Sequence, residues 1–285
     1  MKAPLEDIKK LAQLSLRAKG FYSGEIDGLW GDGSNAAYTA YMDFLGDRNL
    51  EIGEDESVSE DPTIPDVRGV VVLDPGHGGT EKVGGSSPNN ATSASGILEK
   101  TMTLELAKLV RKELKAISAD TPDSAIRVHL TRTGDTNLGL ADRARVASAK
   151  RADVFLSIHF NGFNRSARGT ETWILSEANG NVNEADDRAL AERVQSNMIS
   201  ALMRHDPGAR NRGVKDTQRL GVLKDIHLGN SRNDHPTRAC LVEVEFIDVN
   251  AVDELLNTGP NARDVHNDIA RALAEAIAQD LEAHA

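Results

Sequence analysis

Apolar residues along the chain follow two spacings, and the change between them divides it. From Leu5 to Leu16, apolar Leu5, Ile8, Ala12 and Leu16 recur at the interval of one helix face, predicting a short amphipathic helix that stops at Gly20. A glycine-dense loop follows. A second helix is predicted from an N-cap at Ser34, with Ala37, Tyr38, Tyr41, Phe44 and Leu45 as its buried stripe. From Gly69 onward, short apolar runs alternate with helical patterns. Val70–Leu73, Ile126–Thr131, Val154–His159, Thr170–Leu175 and Leu241–Ile247 read as strands. Thr103–Leu114, Ala141–Ser148, Arg188–Leu202 and Asp264–Leu281 read as helices. Strands separated by helices predict an α/β fold: a mixed, mainly parallel sheet with helices on both faces, beside a small all-α N-terminal module.

Between the two patterns lies EIGEDESVSEDPTIPD, acidic, aperiodic and carrying Pro62 and Pro65. Self-repelling charge with proline describes a solvated linker. The predicted organisation is therefore a helical module over 1–48, a linker over 49–67 and a larger domain over 68–285. No internal repeat is visible.

The 285 residues carry 33 Lys+Arg against 44 Asp+Glu, a net charge of -11. That balance argues against a partner held by bulk phosphate neutralisation, so nucleic acid is not expected. No stretch approaches the ~18 consecutive apolar residues of a membrane helix, so insertion is not expected either. Charges at Glu6, Asp7, Lys9, Lys10 and Arg17 interrupt the N-terminal segment, which lacks the apolar core of a secretory signal. The one cysteine, Cys240, excludes an intramolecular disulfide and a cysteine-rich metal site, and its apolar run suggests inert burial.

Candidate chemistry gathers where strands end and helices begin, the usual place for sites in such sheets. His77 follows the first predicted strand between glycines, in VVLDPGHGG. His159 ends the strand VFLSIHF before an Asn-Gly turn, and Glu99 opens a helix, where the helix dipole favours a carboxylate. Two imidazoles and one carboxylate form a catalytic donor set for zinc with a position left open. Calcium or magnesium would ask for more oxygen. A proton acceptor is offered by the strand ACLVEVEFIDV, whose period of two puts Glu243 and Glu245 on one face. Spacing alone does not choose between them. Gly-x-Ser-x-Gly is absent, so a serine nucleophile finds no support.

The stretch containing Gly20, Phe21, Tyr22, Gly24, Ile26, Asp27, Gly28, Trp30, Gly31, Ser34 and Ala37 resembles the small helical peptidoglycan-binding module found beside many wall hydrolases. Met42 stands where that family usually has Gln. Residues 69–285 resemble the zinc-dependent N-acetylmuramoyl-L-alanine amidases of type 3. The resemblance rests on Val71–Gly79, Glu99 with Lys100 and Leu104, Leu130-Thr131-Arg132 with Asp135, and Leu140 with Arg143. It continues through Ala152–Asn161, Gly169-Thr170-Glu171, Asn211–Lys215, Val222-Leu223 and Leu241-Val242-Glu243.

Carried over position by position, the resemblance implies zinc ligands at His77, Glu99 and His159 and a catalytic glutamate at Glu243. Glu245 stands where the family usually has a small residue, and an extra carboxylate there either raises the Glu243 pKa by like-charge repulsion or points away. The implied reaction is zinc-dependent hydrolysis of the amide between N-acetylmuramic acid and L-alanine, with peptidoglycan as partner and the cell wall as the place of action. A phage endolysin, held in the host cytoplasm until holin-dependent release, or a host autolysin would fit. A zinc peptidase cutting the stem peptide and a catalytically silent wall-binding protein are the alternatives. Arg132, Arg143 and Arg212 are expected in surface ion pairs, with pairing to substrate carboxylates as the alternative; the polar Gly79–Ser95 loop borders the cleft or moves, and His227 and His235 are open as substrate neighbours. His129, His205, His266 and His284 are expected on solvated surfaces.

Overall fold

The computed structural model describes residues 9–10, 13, 16–17, 22–27, 29, 33–34, 36–37, 67–121, 124–228 and 235–285. The chain divides into two compact units, Met1–Asp61 and Pro62–Ala285. In the first, Lys9–Lys10, Gln13, Leu16–Arg17, Gly33–Ser34 and Ala36–Ala37 are helical. Gln13 is fully buried there, and its amide donates to Leu29 O at 2.9 Å and Asp27 Oδ1 at 3.0 Å. Such a polar hub joins chain segments that a small core holds weakly. The predicted stripe residues Tyr38, Tyr41, Phe44 and Leu45, the signature positions Gly20, Phe21, Gly28, Trp30 and Gly31, Met42, and the linker up to Asp66 lie outside the described residues.

The second unit is built on a six-stranded sheet of order β2-β1-β3-β6-β4-β5. Its strands are β1 (Arg68–Pro75), β2 (Ala125–Leu130), β3 (Val154–Asn161), β4 (Thr170–Leu175), β5 (Asn211–Thr217) and β6 (Arg238–Phe246). Strands β2, β1, β3 and β6 run parallel; β4 pairs antiparallel with β6 and parallel with β5. The helices are α1 (Glu99–Asp120), α2 (Leu140–Lys150), α3 (Glu184–His205), the short α4 (Asn250–Asp253) and α5 (Ala262–Glu282). A π-helical turn, Glu254–Thr258, continues α4.

The expected mixed, mainly parallel sheet with helices on both faces is what the chain forms. One face carries Val71, Leu73, Leu156, Ile158, Val242 and Val244, packed against α1, α3 and α5. The opposite face carries Val70, Val72, Phe155, Ala239 and Leu241, covered by Ala144 and Ala147 of α2 and by Val222, Leu223 and Leu228. Burial on both faces explains why β1 and β3 read as continuous apolar runs. The helices extend beyond their predicted ends by up to six residues, because polar end turns such as Lys115–Asp120 carry no apolar period. Strand β5 has no sequence signature: NRGVKDT is polar, holds a glycine and lies at the sheet edge, where one neighbour suffices.

Candidate metal centre and active site

Strand β1 ends in a loop that turns through left-handed backbone at His77 (φ 61°), Gly78 (132°) and Gly79 (62°). The first is unusual for a side chain with a Cβ, and such conformations collect at functional sites. The turn aims the imidazole back across the strand ends. Its Nδ1 lies 3.0 Å from Ser87 O, a carbonyl that can only accept, and 3.1 Å from Ser87 Oγ, which can act either way; donation to the carbonyl puts the proton on Nδ1. Nε2 then points inward, 3.1 Å from Glu99 Oε1.

His159, near the end of β3, brings Nδ1 to 3.0 Å from the same carboxylate oxygen. The two rings meet edge to face with centroids 4.9 Å apart. Glu99 is the first residue of α1 and is buried; Oε2 accepts the Ala91 N–H at 2.8 Å, and Oε1 also accepts the Phe160 N–H at 3.2 Å. One donor atom from each of the three residues lies within 4.8 Å of the others. Burial alone would raise the Glu99 carboxyl and lower His77, but their contact reverses both, helped by His159 at Glu99 and by the Ser87 carbonyl at His77: Glu99 sits below the usual carboxylate range and His77 above the usual imidazole.

The close approach of His159 to β1 depends on Gly76. A Cβ there would lie 2.2 Å from His159 Cε1 and 2.4 Å from Nε2, so glycine alone leaves room for the ring.

Two buried arginines fasten the segments that carry the donors. Arg143 donates to Leu138 O, Asp74 Oδ1, Pro75 O, His77 O and Asn137 Oδ1 at 2.8–3.1 Å. Asp74 also accepts the hydroxyls of Thr131 at 2.6 Å and Ser157 at 2.8 Å, so the buried ion pair is saturated. Arg132 donates to the carbonyls of Pro75, Gly76, Gly134 and Lys100, tying the end of β1 to the first turn of α1. Burial lowers its pKa to about 10, which keeps it cationic at neutral pH. Lys100 donates to Gly79 O at 2.7 Å and Asp135 Oδ2 at 2.8 Å. The expected surface ion pairs are thus interior scaffolding for Arg143 and Arg132; Arg132 holds carbonyls and a hydroxyl, with no carboxylate among its hydrogen-bond partners. Arg212 pairs with Glu171. The Gly79–Ser95 loop borders the cleft through Ser87 and Ala91.

Glu243 lies on β6 in register with His159. Its Oε2 is buried without a hydrogen-bond partner. Burial, then the nearby charges of Glu99 and Glu171, pushes its pKa well above the usual carboxylate range. Of the two outcomes expected for Glu245, the structure has the second: it is engaged away from Glu243. The β3–β6 ladder shifts register between His159 and Asn161, which breaks the period of two. Glu245 instead accepts the Gly169 N–H at 2.5 Å and Arg168 Nε at 3.1 Å. The carboxylates acting on Glu243 are Glu99 and Glu171, and Glu171 is the one the sequence reading passed over, although the Gly-Thr-Glu motif contained it.

The remaining histidines divide otherwise than expected. His235 approaches Asp153 at 3.5 Å and His227 approaches Ser148 at 3.2 Å, next to the residues that lead into β3, at the sheet end opposite His159. His205 is largely buried against Asp268, and His266 Nε2 is sealed from solvent, so neither lies on a solvated surface. Cys240 is fully buried, and burial pushes its thiol pKa up, as inert packing requires.

Residues 71–279 match the family model described as N-acetylmuramoyl-L-alanine amidase. The chain is 30% identical over 234 residues to N-acetylmuramoyl-L-alanine amidase AmiA of Escherichia coli K12, covering 73% of this chain and 74% of that protein. It is also 30% identical over 212 residues to an endolysin of Bacillus phage SPP1, covering 74% of this chain and 66% of that one. The crystal structure of an N-acetylmuramoyl-L-alanine amidase from Clostridium difficile 630 superposes with a TM-score of 0.57 at 26% identity, over 77% of this chain and all of that one. With a buried His-Glu-His cluster at the strand ends and these likenesses spanning most of the larger unit, the chain belongs to the N-acetylmuramoyl-L-alanine amidase family, hydrolases of peptidoglycan.

Proposed function

We propose that this amidase is zinc-dependent, with His77, Glu99 and His159 as the ligands and Glu243 as the proton carrier. The observation that carries the reading is the pairing of a convergent donor set with an orphaned carboxylate oxygen in register beside it. Two nitrogens and one oxygen suit zinc better than calcium or magnesium, and the Ser87 carbonyl presets the His77 tautomer. Zinc in such a set supplies Lewis acidity, toward the scissile carbonyl and toward water.

Glu243 does the proton work. Burial and the neighbouring carboxylates raise its pKa above the usual carboxylate range, the direction that suits a group that must hold a proton and return it. It takes a proton from the attacking water and delivers it to the leaving amine of L-alanine as the amide C–N bond breaks. The lactyl group of N-acetylmuramic acid departs as a carboxylic acid. Asp74, Arg132 and Arg143 hold the donor segments still while this happens.

The N-terminal residues 1–48 are assigned to wall binding and 49–67 to a linker, on the motif and charge arguments above. Wall lysis by a phage endolysin or by a host autolysin both accord with this activity, and holin-dependent release applies to the first.

Zinc titration of chelator-stripped protein tests the ligand set. One equivalent per chain is expected for the wild type, with binding weakened at least about tenfold in Glu99→Gln and His159→Ala. Equal binding in all three proteins would refute it.

A further inference from the structure

We propose that Arg212 and Lys215 form a carboxylate-binding subsite on the stem-peptide side of the scissile amide. The proposal rests on the amidase reading and adds to it which way the substrate lies and what it must carry.

The subsite continues a row of polar side chains across the strand ends. His159 on β3 is in register with Glu243 on β6, and Glu243 with Glu171 on β4. Edge strand β5 follows, with Lys215 in register with Trp173 of β4. Lys215 Nζ donates to Glu171 Oε2 at 2.6 Å and Arg212 Nε to the same oxygen at 2.5 Å. Burial would raise the Glu171 carboxyl, but the hydrogen bonds from Lys215, Arg212 and Asn161 prevail and keep it ionised.

One carboxylate therefore meets two cations, and the cluster keeps an excess positive charge. Its donors are also incompletely used. The Nε of Arg212 is spent on Glu171, while neither Nη group donates to any described residue. Lys215 spends one of its three N–H groups. Both side chains remain about a third exposed. Each is held over an aromatic ring, Arg212 at 5.2 Å from the centre of Phe246 and Lys215 at 5.0 Å from that of Trp173. A guanidinium fixed from behind, with its outer edge open, is prepared for a carboxylate.

The chemistry of the substrate decides which part of it this edge receives. Once the lactyl carboxyl is amidated, the glycan has no free carboxylate, whereas the stem peptide has several. The cations therefore mark the peptide side. Both cations end on Glu171, which lies one strand spacing, about 5 Å, from Glu243. An extended peptide covers about 3.3 Å per residue, which places the acidic residue following L-alanine within reach.

The test compares two soluble glycan fragments with stem peptides, identical except that the residue after L-alanine carries a free carboxylate in one and a carboxamide in the other. Release of the L-alanine amine is followed, and kcat and KM are resolved for each. The wild type is expected to favour the carboxylate about tenfold in kcat/KM, mostly through KM. In Arg212→Gln that ratio falls toward one, and in Arg212→Lys, which keeps the charge on Glu171, it falls part of the way. A purely structural role would lower both substrates together and leave the ratio intact, which would overturn the proposal. Equal cleavage of both substrates by the wild type would also overturn it while leaving the amidase reading in place. Cleavage of neither, by metallated enzyme, would remove the amidase reading and the subsite with it.

Discussion

Replacing Arg143 by lysine keeps the charge and removes the fork, and the cost follows from the acceptors left behind. The guanidinium places five N–H groups on five acceptors, Leu138 O, Asp74 Oδ1, Pro75 O, His77 O and Asn137 Oδ1, in a site closed to water. An ammonium has three N–H groups, so at least two acceptors lose their partner. Each buried unsatisfied group costs about 1–3 kcal/mol, and breaking a buried pair outright costs about 3–5 kcal/mol. We expect Arg143→Lys to destabilise by about 3–5 kcal/mol, or roughly 6–10 °C in Tm for a unit this size. Urea unfolding followed by circular dichroism reads the first number and a thermal melt the second. Because His77 O is among the acceptors that the fork holds, zinc affinity should fall as well. A variant within 1 kcal/mol of wild type would refute the view that this web, rather than packing alone, fixes the β1 loop.

Three further outcomes are expected. Gly76→Ala would drive a methyl into the His159 ring, so activity should fall about a hundredfold while the thermal melt stays close to wild type; intact activity would sink the steric argument. Asp74 is buried, which alone would raise its pKa, but Arg143, Thr131 and Ser157 hold it below its unfolded value of about 3.9. Between those two values the unfolded chain binds more protons, so this contribution is complete above about pH 4 and is lost as pH falls through the folded pKa. Urea midpoints measured from pH 2 to 7 should therefore show a shallower acid-side slope in Asp74→Asn than in wild type, and identical slopes would contradict the assignment. Cys240 should resist a thiol reagent in the folded protein and react fully on unfolding; rapid native labelling would show that it is not sealed in the core.

Elements with a buried apolar period could be read directly from the chain. Strand β4 is found at its predicted bounds, and the ends of β1, β3 and β6 differ from prediction by at most three residues. Strand β5 escaped because an edge strand of Asn, Arg, Gly, Lys and Asp carries no apolar signal; its pairing is set by β4. The three residues that cluster, His77, Glu99 and His159, were legible because each sits where an element ends. The supporting arginines were not, since charge in a sequence reads as surface until the Asp74 carboxylate and the strand-end carbonyls are seen to surround it. The shared face read for Glu243 and Glu245 failed for another reason: a ladder irregularity interrupts the period of two without leaving a mark in the sequence alternation.

The central claim is most directly tested by release of L-alanine N-termini from purified peptidoglycan, with wild type, with Glu243→Ala, and with chelator followed by zinc. The account predicts release by wild type, none by the variant, loss with chelator and recovery with zinc. Metallated wild type that frees other peptide ends but no L-alanine, or a Glu243→Ala protein as active as wild type, would contradict it.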